Sequence, residues 1–156
     1  MKKFITINLL ILLVATPIIT SCKSEVYSLN NFVDDLLDSG ASVQIGESTD
    51  HSGKISPFLA NTKNNIKVNG ENVNIYEYNN EALADEDAAR VNLDGSGYHR
   101  VDETGEGRSV SWSWVGYPHW YKKDRIIVIY VDVSRGSNLT VRNLLESILG
   151  LQFAGK

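Results

Sequence analysis

The chain has 156 residues, a single cysteine, and 15 Lys+Arg against 19 Asp+Glu, a formal net charge of −4. That length suits one domain with a real core, and a lone cysteine excludes an intrachain disulfide. The acidic balance leaves no electrostatic footprint for nucleic acid and no charge-driven affinity for anionic lipid headgroups.

Residues 1–21 read as a signal peptide that is removed. Lys2 and Lys3 give a positive start, and Phe4 to Ile19 form an apolar stretch broken by Thr6, Asn8, Thr16 and Pro17. The stretch falls short of the ~20 apolar residues of a membrane span. Small residues Thr20 and Ser21 then precede Cys22, where a secretory signal is cut. Ile19-Thr20-Ser21-Cys22 resembles the lipobox of a bacterial lipoprotein. The resemblance implies cleavage before Cys22, a thioether-linked diacylglycerol on Cys22, and an N-acyl chain such as palmitate on the new amino terminus. At about 0.8 kcal/mol per buried CH₂, two or three such chains hold a soluble domain on a membrane.

Three consequences follow for the mature chain. Loss of Lys2 and Lys3 leaves 13 basic against 19 acidic side chains, so membrane association must come from the lipid. With Cys22 consumed, neither a cysteine nucleophile nor a thiolate metal site is available. Lys23 stands where an inner-membrane retention signal carries Asp. The resemblance therefore implies an extracytoplasmic, envelope-anchored protein, on the outer membrane of a diderm or the outer face of a monoderm's cytoplasmic membrane.

Residues 22–28 read as the lipidated cysteine and a short tether, and residues 29–155 as one domain. Leu29, Phe32, Val33, Leu36 and Leu37 recur at helical spacing, with Ser28 as N-cap and Gly40 as stop. Val43 and Ile45 alternate as in a strand; Glu47 to Ser56 read as loop, with a further strand near Phe58 and Leu59. Asn69-Gly70 between Ile66–Val68 and Val73–Tyr78 is a strong hairpin signal, because both turn residues tolerate positive φ. Glu81 to Val91 reads as an Ala-rich helix with a thin apolar stripe of Leu83, Ala84, Ala88 and Val91.

The Gly-rich, polar stretch from Asn92 to Ser109 reads as the longest loop. Val110 to Val115 alternates, with Trp112 and Trp114 on one face, and 119–133 reads as a second hairpin turning at Lys122-Lys123-Asp124-Arg125. Ile126 to Val131 is apolar on both faces, as a central strand covered on both sides requires. Asn138 caps a last helix carrying Val141, Leu144, Leu145, Ile148 and Leu149, which Gly150 ends, with Leu151 as the apolar residue of a Schellman-type stop. The expected fold is α+β, a mostly antiparallel sheet of about five strands with three helices packed against it.

The mature region also resembles a small extracellular domain that recurs behind bacterial lipoprotein signals. The likeness is carried by Val68-Asn69-Gly70, Ile75-Tyr76-Glu77-Tyr78, Ala88-Ala89, Asp94-Gly95-Ser96, Pro118-His119-Trp120-Tyr121, Ile126 to Tyr130 and Leu149-Gly150-Leu151-Gln152-Phe153-Ala154-Gly155. It implies one compact domain and attaches no activity. The polar segment Tyr98 to Arg108 departs from that pattern.

Candidate chemistry is sparse. His51, His99 and His119 show no metal spacing, and a zinc site needs three or four converging ligands. His51 and His99 read as loop residues and His119 as a strand start. No Gly-x-Ser-x-Gly, Ser-x-x-Lys or His-Glu-x-x-His motif occurs. Asp94, Asp102, Glu103 and Glu106 crowd a Gly-rich stretch, where they are a weak candidate for Ca²⁺.

Trp112, Trp114, Tyr117, Trp120 and Tyr121 put five large aromatics within ten residues. They are candidates for ligand binding, with one of the adjacent pair Trp120 and Tyr121 exposed by strand alternation. The expected function is a non-catalytic binding or interaction module, with the membrane reached through lipid and an envelope protein or glycan as partner. The alternatives are a small envelope hydrolase using His119 and an acid, or a structural accessory of an envelope complex. No cofactor beyond the covalent lipid is expected.

Overall fold

The protein is seen in a computed structural model that describes residues 26–50, 59, 62–101, 104–133 and 139–155. The expectations for the signal peptide, Cys22, His51, Phe58, Asp102, Glu103 and Asn138 fall outside these residues. Among the described residues no helix is long and apolar enough to cross a membrane.

Helix α1 (Leu29–Asp38) starts where Ser28 and Asn31 cap each other reciprocally, satisfying two of the orphan amides of the first turn. Its end is a Schellman motif, with Ala41 N–H donating to Leu36 O at 3.0 Å and Gly40 N–H to Leu37 O at 2.9 Å. Strand β1 (Val43–Asp50) follows, running through residues read as loop. β2 (Thr62–Val68) and β3 (Glu71–Glu77) form the anticipated hairpin. Its two-residue turn holds Asn69 at φ 51° and Gly70 at φ 88°, the paired positive values of a type I′ turn.

Helix α2 (Glu81–Ala88) is shorter than its sequence pattern, because Val91 leaves the helix to bridge Tyr98. The stretch expected to be a loop instead contains a hairpin, β4 (Gly97–Val101) with β5 (Gly107–Ser111). Each strand carries too few apolar residues to signal itself, and an isolated two-stranded hairpin is marginal in water. Tertiary contacts supply the difference. Tyr98 is buried and its hydroxyl donates to Asp87 Oδ1 of α2 at 2.6 Å, while Arg90 Nη1 reaches the same carboxylate at 2.9 Å. Burial, reinforced by that carboxylate, pushes the Tyr98 phenol up to about 12.

β6 (Tyr117–Lys123) and β7 (Ile126–Asp132) pair from Tyr117↔Asp132 to Lys123↔Ile126. α3 (Leu139–Leu149) closes on Gly150 with a single 5→1 bond, Gly150 N–H to Glu146 O at 2.9 Å. That is an αL stop rather than a Schellman end, and Leu151 stands 86% exposed instead of packing on the helix. A short β8 (Ala154–Gly155) pairs with β6.

The antiparallel sheet has six strands in the order β1-β2-β3-β7-β6-β8, with β4-β5 as a separate pair. The fold is α+β. β7 sits inside the sheet, and its alternation feeds two cores. Ile126, Val128 and Tyr130 join Phe32, Leu36, Val141 and Leu145 beneath α1 and α3. Ile127 and Ile129 join Ala84, Tyr98 and Trp120 beneath α2 and the β4-β5 pair.

The core under α1 and α3 contains two buried phenols, Tyr121 and Tyr130, whose hydroxyls have no hydrogen-bond partner among the described residues. Burial, then Asp132 and Glu71, pushes the Tyr130 phenol up to about 12. The unfolded chain releases this proton near pH 10. Stability is therefore fully present below pH 10 and falls as pH rises toward 12. Tyr130→Phe removes a desolvated hydroxyl that makes no bond, so it is expected to raise unfolding free energy by about 1 kcal/mol at pH 7 and to flatten the alkaline loss. Urea titrations at pH 7 and pH 11 read both effects, and a variant less stable than the parent at pH 7 would show that the hydroxyl is satisfied.

Candidate functional site

A cluster of aromatic side chains lies beside the β4-β5 pair, on the sheet face that α2 covers in part. Just past β5, Trp112 N–H still donates to Ser96 O at 2.7 Å, and Trp112 and Trp114 pack into the same cluster. Their ring centroids are 5.8 Å apart, and they lie 5.4 and 6.1 Å from Trp120, with the Trp114–Trp120 contact edge-to-face at 78°. Phe153 packs on Trp120 from β8's side at 6.3 Å. Such offset and T-shaped contacts add about 0.5–1.5 kcal/mol per pair beyond burial. The cluster is therefore a rigid wall rather than a set of loose side chains.

The turn before β4 forms the facing side. Asp94 Oδ1 accepts from Ser96 N–H at 3.0 Å and from Ser96 Oγ at 2.8 Å, an Asx-type turn. Trp114 Nε1 donates to Gly95 O at 2.8 Å, and Gly155 N–H donates to Leu93 O at 2.9 Å. Gly95 has φ 69° and lies flat on the buried indole, where a Cβ would come within 2.6 Å of Trp120 Nε1. Only glycine meets both demands without strain.

Between wall and turn is an open cleft of about 230 Å³ lined by Asp94, Ser96, Trp112, Trp114, Gly116, Tyr117 and Pro118. Trp112 and Trp114 are half-buried and Tyr117 is 43% exposed, so aromatic surface is presented to solvent. The volume is below the ~300–1,000 Å³ of pockets that enclose a ligand. The cleft has room for one ring laid against the wall, with the Asp94 carboxylate and Ser96 hydroxyl at its polar rim.

The structure thus brings together two groups of residues that the sequence presents as separate candidates: the aromatics Trp112, Trp114 and Tyr117, and Asp94 of the acidic stretch. Trp120 and Tyr121 are both fully buried, against the expectation that one is exposed. The sheet is covered on both faces, so alternation sends Trp120 into one core and Tyr121 into the other. Ser96, Gly116 and Pro118 also line the cleft. The Asp94-Gly95-Ser96-Gly97 turn signal marks the first, and nothing in the sequence singles out the other two as lining residues.

Of the four calcium candidates, Asp102 and Glu103 lie outside the described residues, and Asp94 and Glu106 stand apart. Asp94 precedes β4 at the Gly97 end, whereas Glu106 adjoins Gly107 at the Val101 end, about 13 Å along the strand. Among the described residues no group of three or more metal-ligating side chains converges. His99 is an exposed strand residue of β4, not a loop residue, with Nδ1 2.8 Å from Ser109 Oγ. His119 is 2% exposed in the opposite core, its Nδ1 2.6 Å from Gln152 Oε1 and its ring stacked on Tyr130.

The chain matches no protein-family model, no curated protein and no solved structure. The site is therefore read from its own geometry.

Gly95→Ala is expected to destabilise the fold by about 1–3 kcal/mol, from positive φ and the collision with Trp120. Denaturant unfolding measures the loss, and near-ultraviolet circular dichroism should change with it as the indole cluster shifts. An unaltered tryptophan spectrum would mean that Gly95 does not set the wall's geometry.

Proposed function

We propose that this protein is a lipid-anchored binding module of a bacterial cell envelope, tethered through Cys22, whose Trp112–Trp114–Tyr117 cleft takes a sugar ring of an envelope glycan. The observation that carries the reading is the placement of the tether relative to the cleft. Tyr27 N–H donates to Asp124 Oδ2 at 2.8 Å, its hydroxyl donates to Asp35 Oδ2 at 2.6 Å, and Lys123 Nζ lies 3.9 Å from its ring centroid. Leu29 N–H donates to Glu77 Oε1, which Arg125 also holds. The start of the domain is thereby clamped to the β6–β7 turn.

Tyr117 and Pro118 lie at the other end of β6, about 20 Å away along the strand. Cys22 stands only four residues before Val26, a reach of at most about 14 Å. A lipid on Cys22 would turn the β6–β7 end toward the membrane and the cleft away from it, outward to envelope ligands. The chemistry of the cleft supports the same reading. Aromatic faces accept the apolar C–H face of a sugar, and Asp94 and Ser96 put oxygens at the edge of the cleft that can accept from its hydroxyls. The hydrolase reading has less support, because His119 is enclosed in the core rather than open to this cleft.

Two measurements test the proposal. Mass spectrometry of the mature amino terminus is expected to find diacylglycerol and an N-acyl chain on Cys22; an unmodified cysteine would remove the anchor. Titration of the full chain with soluble cell-wall glycan fragments is expected to quench tryptophan fluorescence. Tyr117→Ala, at an exposed position, should leave the melting temperature unchanged and weaken binding at least about tenfold. A panel of glycans that produces no quenching would overturn the ligand class.

A further inference from the structure

A second surface stands apart from the aromatic cleft, at the other margin of the sheet. β1 is the last strand on that side, and no described strand covers its outer edge. Exposed edges are commonly blunted by shortness, proline or lysine. β1 is eight residues long and carries neither proline nor lysine. A register shift between Ile45 and Ser48 interrupts the ladder and leaves Val43 to Ile45 in regular pairing with Val68 to Ile66.

Beside that edge, α1 and the sheet enclose a groove of about 260 Å³ lined by Leu29, Val33, Asp34, Ile45, Asn64 and Ile66, among others. Ile45 is the anomaly. Its cross-strand partner Ile66 is 2% exposed, whereas Ile45 itself is 75% exposed. One helical turn along α1 from Val33 and Asp34 lies Leu37, 52% exposed. Apolar side chains and an edge that no described strand pairs are thus presented together, which is the arrangement used for binding an extended peptide by strand addition.

Charge selects among occupants. Asp34 is the charged residue lining the groove, and Asp38 and Glu47 are exposed close by in sequence on α1 and β1. Lys63 and Lys67 of β2 alternate with the core-facing Asn64, Ile66 and Val68 and so point to the other face, where Lys63 lies over the Tyr76 ring. A second copy pairing through its own β1 would bring Glu47 against this acidic rim, an unfavourable meeting of like charges. A basic segment meets the opposite sign.

We propose that the outer edge of β1 accepts an extended basic peptide segment of a partner protein as an additional strand. An apolar side chain of the segment sits in the groove against Leu29, Val33 and Ile45, and Lys or Arg two residues to either side faces Asp34 and Asp38. The two-residue spacing follows from the strand period, since only every second side chain faces the groove.

The test uses the ¹⁵N-labelled full chain in detergent micelles and the probe acetyl-Lys-Thr-Val-Thr-Lys-Thr-amide. Expected are saturable shifts of the Val43–Ile45 amides, loss of binding when the peptide's β1-facing amides are N-methylated, and at least about tenfold weaker binding with Glu in place of both Lys. Ile45→Glu, at an exposed side chain, should weaken binding by a similar factor with an unchanged melting temperature. Asp34→Asn, exposed as well, should weaken it and reduce its salt dependence.

Absence of binding, equal binding of the acidic peptide or of the N-methylated peptide, or shifts confined to another surface would each overturn the proposal. Concentration-dependent dimerisation that perturbs the same β1 amides without peptide would assign the edge to a second copy instead. Neither result bears on the aromatic cleft, which is at the far side of the sheet.

Discussion

The structure depends on covering both faces of β7. Ile126 to Val131 is a strand with no polar face, so water must be excluded on two sides at once, at roughly 25 cal/mol for every Å² of apolar surface removed. α1 and α3 answer on one side and α2 with the β4-β5 pair on the other. The two coverings are unequal. Two amphipathic helices close the first face with long aliphatic side chains, whereas the second is closed by a thin helix that buries only Ala84 and by aromatic rings. Large rings fill the volume that a short Ala-rich helix leaves open.

That inequality produces the aromatic cleft. A wall of indoles is needed to complete the second core, but its outer members, Trp112 and Trp114, are only half covered, and the turn at Asp94-Gly95-Ser96 stops short of closing over them. Core packing and exposed aromatic surface are therefore properties of one cluster: Trp120 belongs to the core, Trp112 and Trp114 to both core and surface, and Tyr117 to the surface. Rigidity comes from the core side, through ring contacts and the Trp114–Gly95 hydrogen bond, so the proposed ligand would require little ordering of the wall.

The clamp around Tyr27 ties the start of the domain to the opposite end of the sheet. It combines a backbone hydrogen bond, a carboxylate partner and a lysine over the ring, with Lys123 donating to Ile148 O as well. One residue of the approach segment thus links α1, the β6–β7 turn and the end of α3. Burial and then the Asp35 hydrogen bond push the Tyr27 phenol well above its ordinary range, as a neutral donor to a carboxylate requires.

Much of the fold was legible in the residues taken in order. Helical periodicity gave α1 and α3, Ser28 and Gly40 gave the limits of α1, Asn69-Gly70 gave its hairpin, and the unbroken apolar run gave the central strand. These signals are local, since they arise from the repeat of side-chain direction and from φ preferences at single positions. What the sequence could not convey is where coverage would come from. The β4-β5 pair carries no signal of its own because Tyr98, Val101 and Val110 are its few apolar residues in polar surroundings, and it is held by Asp87 of α2 and by Arg90 just beyond that helix rather than by its own pattern. The burial of both Trp120 and Tyr121, the separation of Asp94 from Glu106, and the meeting of Asp94 with the tryptophans all follow from which element covers which face. That is settled by contacts between distant parts of the chain, so the sequence by itself determined the elements and a set of aromatic candidates, and only the tertiary structure decided which of them became core, which became surface, and which became a site.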